Sequence, residues 1–141
     1  QLQESIKGKT ARYTSLNESE IKEADVLIID TIGILSSVYQ YGNVAYIGGG
    51  FGKGIHNILE AAAFGLPIIF GPNFKKFREA RELIKLNGAF SIKNSEDLHI
   101  IINTFINNHQ AFKTAGENTR EYVQKNLGAT DIITKFVLSS L

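Results

Sequence analysis

The chain has 141 residues, 43% hydrophobic and 21% charged, a composition typical of one globular domain with its own core. A formal net charge of +1 does not favour a nucleic-acid-binding protein, which normally carries a basic surplus. The absence of cysteine excludes disulfides and thiolate metal sites, and it fits a reducing cytoplasm. No apolar run reaches the ~20 residues of a membrane span, and no signal peptide opens the chain. Because methionine is also absent, we expect a soluble piece of a longer protein.

Short apolar runs alternate with helical patterns along most of the chain. The runs predicted as strands are 11–16, 26–30, 44–50 (which runs into glycines), 67–72 and 89–93. The segments predicted as helices are 17–24, 34–42, 56–65, 74–88, 96–109, 109–127 and 130–140. Asn17 and Ser95 are the predicted helix N-caps, and Gly65 and Gly88 the predicted stops.

This alternation predicts an α/β fold, a Rossmann-like parallel sheet with helices on both faces. We expect one domain over residues 1–141, with 109–141 as a helical tail. In open parallel sheets, ligands bind beyond the carboxyl ends of the strands. Two glycine-containing loops, one after the 44–47 run and one after the 68–70 run, therefore mark the expected site.

The first of these loops has the features of an anion-binding site. A helix that begins near His56 or Asn57 would present unpaired N–H groups to the loop, and Lys53 would add a full positive charge. The predicted anion-binding residues before the helix are Gly48, Gly49, Gly50, Lys53 and Gly54. The alternative is a tight strand-to-helix turn with Asn57 as its N-cap. The loop matches neither a Walker sequence nor the GxGxxG dinucleotide fingerprint.

Glu60 lies three residues after Asn57, which leaves two interpretations of its carboxylate. It could complete a capping box, the simpler of the two, or accept hydrogen bonds from ribose hydroxyls. His56 is the one histidine in this region, since His99 and His109 fall on later helices where we expect them at the surface. There is no HExxH, DxD or GxSxG sequence, so neither a metal centre nor a nucleophile is indicated.

Three segments in order carry a family resemblance: DTIG (30–33), GGGFGKGIHNILE (48–60) and AAFGLPIIFGPNFKKFRE (62–79). Together they resemble the carboxyl-terminal domain of the 3-deoxy-D-manno-octulosonic acid (Kdo) transferases. The similarity is close over about residues 24–92 and extends to the helical tail. Ile34 stands where the family has glutamate, Ile55 where it has glycine and Lys76 where it has asparagine. These departures indicate a divergent branch of the family.

The resemblance implies the carboxyl-terminal half of a two-domain GT-B glycosyltransferase. The full enzyme would transfer Kdo from CMP-Kdo, with inversion and without a metal ion or other cofactor, to a lipid A precursor in lipopolysaccharide biosynthesis. It would act at the cytoplasmic face of the bacterial inner membrane, as a peripheral membrane protein. The catalytic base and the acceptor site would lie in the amino-terminal domain, so we expect this chain alone to be inactive.

The resemblance also implies roles for particular residues of this chain. The glycine loop with His56 and Asn57 would hold the CMP phosphate, and Glu60 would accept from the ribose rather than only cap its helix. The implied nucleoside contacts are Gly71, Pro72, Asn73 and Arg78.

Two other functions remain open on the sequence. One is the donor domain of another GT-B nucleotide-sugar transferase or epimerase, which the choice between CMP and UDP donors would distinguish. The other is a non-enzymatic nucleotide- or anion-binding module, which a companion acceptor domain upstream would exclude.

Overall fold

A computed structural model describes the backbone of residues 6–15 and 18–139, except that the side chains of 18, 19, 21 and 129–132 are not described. The chain forms two compact units, Gln1–Val38 and Tyr39–Leu141. Asn17, a predicted cap, lies outside the described residues. The single-domain interpretation of residues 1–141 stays a prediction.

The first unit is a pair of short parallel strands with helical connections. Strand β1 (Thr10–Arg12) pairs with β2 (Val26–Ile28), and helices α1 (Glu18–Glu23) and α2 (Leu35–Val38) follow the two strands.

The strand predicted over 11–16 ends at Arg12, and a 3-10 turn covers Tyr13–Ser15. The Thr14 amide and hydroxyl donate to the Asp30 carboxylate at 3.0 and 2.7 Å, which takes Thr14 out of the sheet ladder. The same hydrogen bonds, led by that of the hydroxyl, lower the pKa of Asp30. Asp30, the first residue of DTIG, therefore fixes where β1 ends.

The second unit is built on a three-stranded parallel sheet. Strand β4 (Ile68–Phe70) lies between β3 (Ala45–Ile47) and β5 (Ala89–Ser91). Helix α3 (Leu59–Ala63) connects β3 to β4, and α4 (Arg78–Lys85) connects β4 to β5. Helices α5 (Ser95–Asn107), α6 (His109–Lys125) and α7 (Ala129–Ser139) follow. The predicted parallel α/β fold is confirmed.

The core of this unit lies around the central strand. All three residues of β4 are fully buried, which explains why its sequence is continuously apolar rather than alternating. The buried residues packed together with this strand include Ile47, Ile55, Ile58, Ala61, Ala62, Ala80 and Leu83. Helix α3 packs closely on α6, where a Cβ at Gly116 would lie 2.5 Å from the carbonyl oxygen of Gly65.

Several predicted helix ends differ from the structure, among them the start of α4, which is Arg78 rather than residue 74, the cap of α5 and the residue that ends α4. The cap of α5 is Asn94 rather than Ser95, because Asn94 Oδ1 accepts from the Asp97 amide at 2.9 Å. Asp97 in turn accepts from the Lys93 amide at 2.7 Å, so its carboxylate holds the residue that precedes the cap. Gly88 was predicted to end α4, but the residue with left-handed backbone after this helix is Asn87 (φ 56°). Gly88 makes room for Thr119, because a Cβ at Gly88 would lie 2.9 Å from the Thr119 Cγ2 atom.

Helices α4 and α6 are joined by a polar contact. The Tyr122 hydroxyl donates to Glu82 Oε2 at 2.7 Å, and Arg78 Nε donates to Glu82 Oε1 at 2.7 Å. Burial, followed by the hydrogen bond to Glu82, raises the pKa of Tyr122 to about 12. The hydrogen bonds from Arg78 and Tyr122 lower the pKa of Glu82.

Tyr122→Phe should flatten the alkaline loss of stability between pH 10 and 12. The folded protein holds the Tyr122 proton up to a pKa of about 12, whereas the unfolded chain releases it near 10.0, so stability falls as pH rises through this window. Melting temperatures of parent and variant from neutral pH to pH 12 measure the effect. The control is Tyr41→Phe, which removes a hydroxyl from an exposed tyrosine. If the melting temperature falls equally steeply between pH 10 and 12 in the parent and in Tyr122→Phe, the raised pKa of Tyr122 is contradicted.

Candidate functional site

Two loops meet at the carboxyl end of the three-stranded sheet. The glycine loop (residues 48–54) follows β3, and the proline loop (residues 71–77) follows β4. A Cβ at Gly50 would lie 2.5 Å from the amide nitrogen of Gly71, and a Cβ at Gly71 would lie 2.6 Å from the carbonyl carbon of Gly50. Asn73 adds two hydrogen bonds, from its amide to Gly50 O at 2.9 Å and from Nδ2 to Gly52 O at 2.8 Å. The two backbones are therefore in direct contact.

Several amides of the glycine loop are used within the loop itself. Gly52 and Gly54 donate to the carbonyl oxygen of Gly49 at 2.9 and 3.2 Å, and His56 donates to that of Gly48 at 3.1 Å. Gly49 has a φ of 85°, a conformation that a side chain would strain. The loop is thus a closed turn, with the exposed Lys53 and His56 side chains at its surface.

The helix after this loop begins later than predicted. Helix α3 starts at Leu59 with Ile58 as N-cap residue, so the predicted start at His56 or Asn57 is wrong. Ile55 and Ile58 are buried in the core, and Asn57 Oδ1 accepts from the Leu59 amide at 3.0 Å, which favours a side-chain-closed turn over a helical start.

Glu60 is therefore the second residue of α3. It does not lie three residues after the helix N-cap, which is where a capping box would need it. Its Oε1 accepts from Asn57 Nδ2 at 2.8 Å, so the two side chains predicted to act together do meet. Burial raises the pKa of Tyr39, and the negative charge of Glu60 raises it further. Tyr39 is thus a neighbour of the site that sequence reasoning missed, because it lies in the separate 34–42 segment.

Two of the three departures from the family pattern have structural roles. Ile55 is buried in the core cluster. Lys76 Nζ donates to the carbonyl oxygen of Lys53 at 3.1 Å and lies 5.3 Å from the centre of the Phe77 ring, which ties the proline loop to the glycine loop. The carbonyl oxygen of Ile34 accepts from the Val38 amide at 3.1 Å, a backbone contact that does not explain its side chain.

The predicted nucleoside contacts are only partly brought together. Gly71 is buried against the glycine loop. Pro72 and Asn73 line a cavity of about 590 Å³, whose other lining residues are Phe74, Lys75, Ser91 and Lys93. Arg78 lines a different cavity of about 290 Å³ and is paired with Glu82. The sequence did not predict the other four residues that line the first cavity, Phe74, Lys75, Ser91 and Lys93.

Within the described ranges, no group of three or more His, Cys, Asp or Glu residues could hold a metal ion. His99 and His109 are exposed, as predicted. Among the helices of these same residues, none has the length and apolarity needed to span a bilayer.

Gly50→Ala should destabilise the protein by about 1–3 kcal/mol, because its Cβ would overlap the backbone of the proline loop. The melting temperature should fall by roughly 4 °C for each kcal/mol. Gly52→Ala is the matched control, since its Cβ would meet only Gly49 O at 3.6 Å. Thermal melts of the two variants check the contact, and equal melting temperatures would disprove it.

Comparison with known proteins gives a consistent set of relatives, although no family model matches the chain. It is 36% identical over 119 residues to the 3-deoxy-D-manno-octulosonic acid transferase of Rickettsia typhi, covering 82% of this chain and 26% of the relative. It is 40% identical over 78 residues to the enzyme of the same name from Aquifex aeolicus, covering 54% of this chain and 22% of the relative. The chain thus spans about a quarter of the length of these relatives.

A solved structure shows the same fold. The chain matches the C-terminal CMP-Kdo binding domain of WaaA from Acinetobacter baumannii with a TM-score of 0.73 and 21% identity, over 87% of this chain and 65% of that one. The predicted Rossmann-like fold of a GT-B carboxyl-terminal half is confirmed. In sequence, the chain is similar over most of its length to part of the 3-deoxy-D-manno-octulosonic acid transferases.

Proposed function

We propose that this chain is the donor-binding part of a Kdo transferase and that it binds CMP-Kdo. Two lines of support agree: the relatives are Kdo transferases, and the solved domain with the same fold is described as binding CMP-Kdo. The observation that carries the proposal is the contact between the glycine and proline loops at the carboxyl end of the sheet. Parallel α/β sheets bind their ligands at this end.

The glycine loop is the proposed phosphate site. Because α3 has only five residues and its Leu59 amide is bonded to Asn57, the binding would come from loop backbone and side chains rather than from a helix dipole. The positive charge of Lys53 would favour the phosphate and the negative charge that develops on departing CMP. The proposed contacts are Gly48, Gly49, Gly50, Lys53, Gly54, His56 and Asn57.

Glu60 is the proposed acceptor for the ribose hydroxyls. Its hydrogen bond from Asn57 fixes the carboxylate beside the glycine loop, and a carboxylate can accept more than one hydrogen bond. The proposed nucleoside contacts are Gly71, Pro72 and Asn73. Arg78 would have to leave Glu82 to join them, so this part of the proposal rests on the first three.

The remaining steps belong to the whole enzyme. In this proposal an amino-terminal domain supplies the catalytic base and holds a lipid A precursor, and Kdo transfer proceeds with inversion and without metal or cofactor. The enzyme would contribute to lipopolysaccharide biosynthesis at the cytoplasmic face of the inner membrane, as a peripheral membrane protein. This chain alone would bind the donor but transfer nothing.

Glu60→Gln should weaken CMP binding by about tenfold or more, because a hydrogen bond to a charged acceptor contributes roughly 1.5–3 kcal/mol. The same substitution should weaken binding of the 2′-deoxy and 3′-deoxy forms of CMP by a smaller factor, since each form lacks one of the hydroxyls that donate to the carboxylate. Calorimetric titration of each nucleotide against both proteins measures the difference. Affinities should be the same with and without EDTA.

The control is Glu96→Gln, which makes the same change in the first turn of α5. This variant should bind CMP as the parent does. A Glu60→Gln protein that melts at a lower temperature but binds CMP with parental affinity would leave Glu60 a purely structural role.

A further inference from the structure

The cavity that Pro72 and Asn73 line continues the candidate site to the third strand of the sheet. We call it the lysine cavity; its volume is about 590 Å³, and its lining residues are Pro72, Asn73, Phe74, Lys75, Ser91 and Lys93. Lys75 lies in the proline loop after β4, and Lys93 follows β5. Since β4 and β5 are parallel neighbours, their carboxyl ends lie side by side, about 5 Å apart.

The lysine cavity is lined by positively charged residues and by no negatively charged ones. Two lysines line it, and none of its lining residues carries a carboxylate. The ion pairs of the described ranges include neither Lys75 nor Lys93, whereas Lys113 and Lys125 on α6 each pair with a glutamate four residues away. Asp97, four residues after Lys93, accepts from the Lys93 backbone amide. Two like charges in one cavity favour binding of an anion.

The walls of the cavity are held by the core of the unit. The Phe74 ring packs against the buried Phe70, with ring centres 5.3 Å apart. The Ser91 hydroxyl donates to the carbonyl oxygen of Gly71 at 3.4 Å, next to the contact with the glycine loop. The hydrogen bond from the Lys93 amide to Asp97 fixes the backbone from which that lysine extends. An apolar ring, a hydroxyl and two cations thus form one cavity.

We propose that the lysine cavity is an anion subsite, in which Lys75 and Lys93 bind a negatively charged oxygen group of the ligand. That this ligand is the sugar-nucleotide donor rests on the proposed function. Such a donor offers two groups of this chemistry, the phosphate and the carboxylate of a sugar acid. The subsite lies one strand farther along the same end of the sheet than the glycine loop, so one ligand can contact both.

The test compares the parent with Lys75→Gln, Lys93→Gln and the double variant, with Lys113→Gln as the control for a lost surface charge. Calorimetric titrations with cytidine, CMP and CMP-Kdo give the affinity gained from the phosphate and then from the sugar acid. We expect one of these gains to fall by about tenfold in the double variant, while cytidine affinity stays unchanged.

Loss of the gain from CMP to CMP-Kdo assigns the carboxylate to the cavity. Loss of the gain from cytidine to CMP assigns the phosphate there instead and removes it from the glycine loop. Retention of both gains overturns the proposal, as does an equal loss in Lys113→Gln.

A second readout separates this proposal from the proposed function. If the parent binds none of the three ligands, the proposed function fails, and inorganic phosphate then tests the subsite by itself. A saturable change in the amide resonances of Phe74 and Ser91 on phosphate addition, abolished in the double variant, supports the subsite. No saturable change, or one that persists in the double variant, overturns it.

Discussion

The direct contact between the backbones of Gly50 and Gly71 is the constraint on which the site depends. A Cβ at either position would lie within 2.6 Å of the other loop, so only glycine allows this approach. The contact places the loop after β3 against the loop after β4, and Asn73 and Lys76 reinforce it with hydrogen bonds to the glycine loop. Because β4 pairs with β5, Gly71 also lies beside Ser91, whose hydroxyl donates to its carbonyl oxygen, and so beside the lysine cavity.

The glycines of the loop serve different purposes. Gly49 is required by its positive φ and Gly50 by its contact with Gly71. A Cβ at Gly48 or Gly52 would make only ordinary contacts, each at 3.6 Å. Within the described structure these two positions therefore have space for a side chain, and a ligand that approaches the backbone would explain why they remain bare.

Much of the fold could be predicted from the sequence, because buried parallel strands give continuous apolar runs. Strand β4 and the parallel connections are where the pattern placed them. Helix starts were harder, since Asn94 and Ser95 are both good caps and only the reach of Asp97 to the Lys93 amide selects between them. Helix α3 starts after Ile58, which is buried in the core, and the neighbouring sequence does not indicate that this residue is buried. Lys75 and Lys93 are 18 residues apart in sequence, and they share a cavity only because β4 and β5 pair.

We expect CMP to bind at the carboxyl end of the three-stranded sheet, in contact with both loops. The most direct measurement is a map of the amide resonances that change when CMP is added. We predict changes in the glycine loop, at His56, Asn57 and Glu60, and in the proline loop. Changes confined to the cavity of about 400 Å³ lined by Phe90, Phe105 and Ala111, or no saturable change at all, would contradict the account.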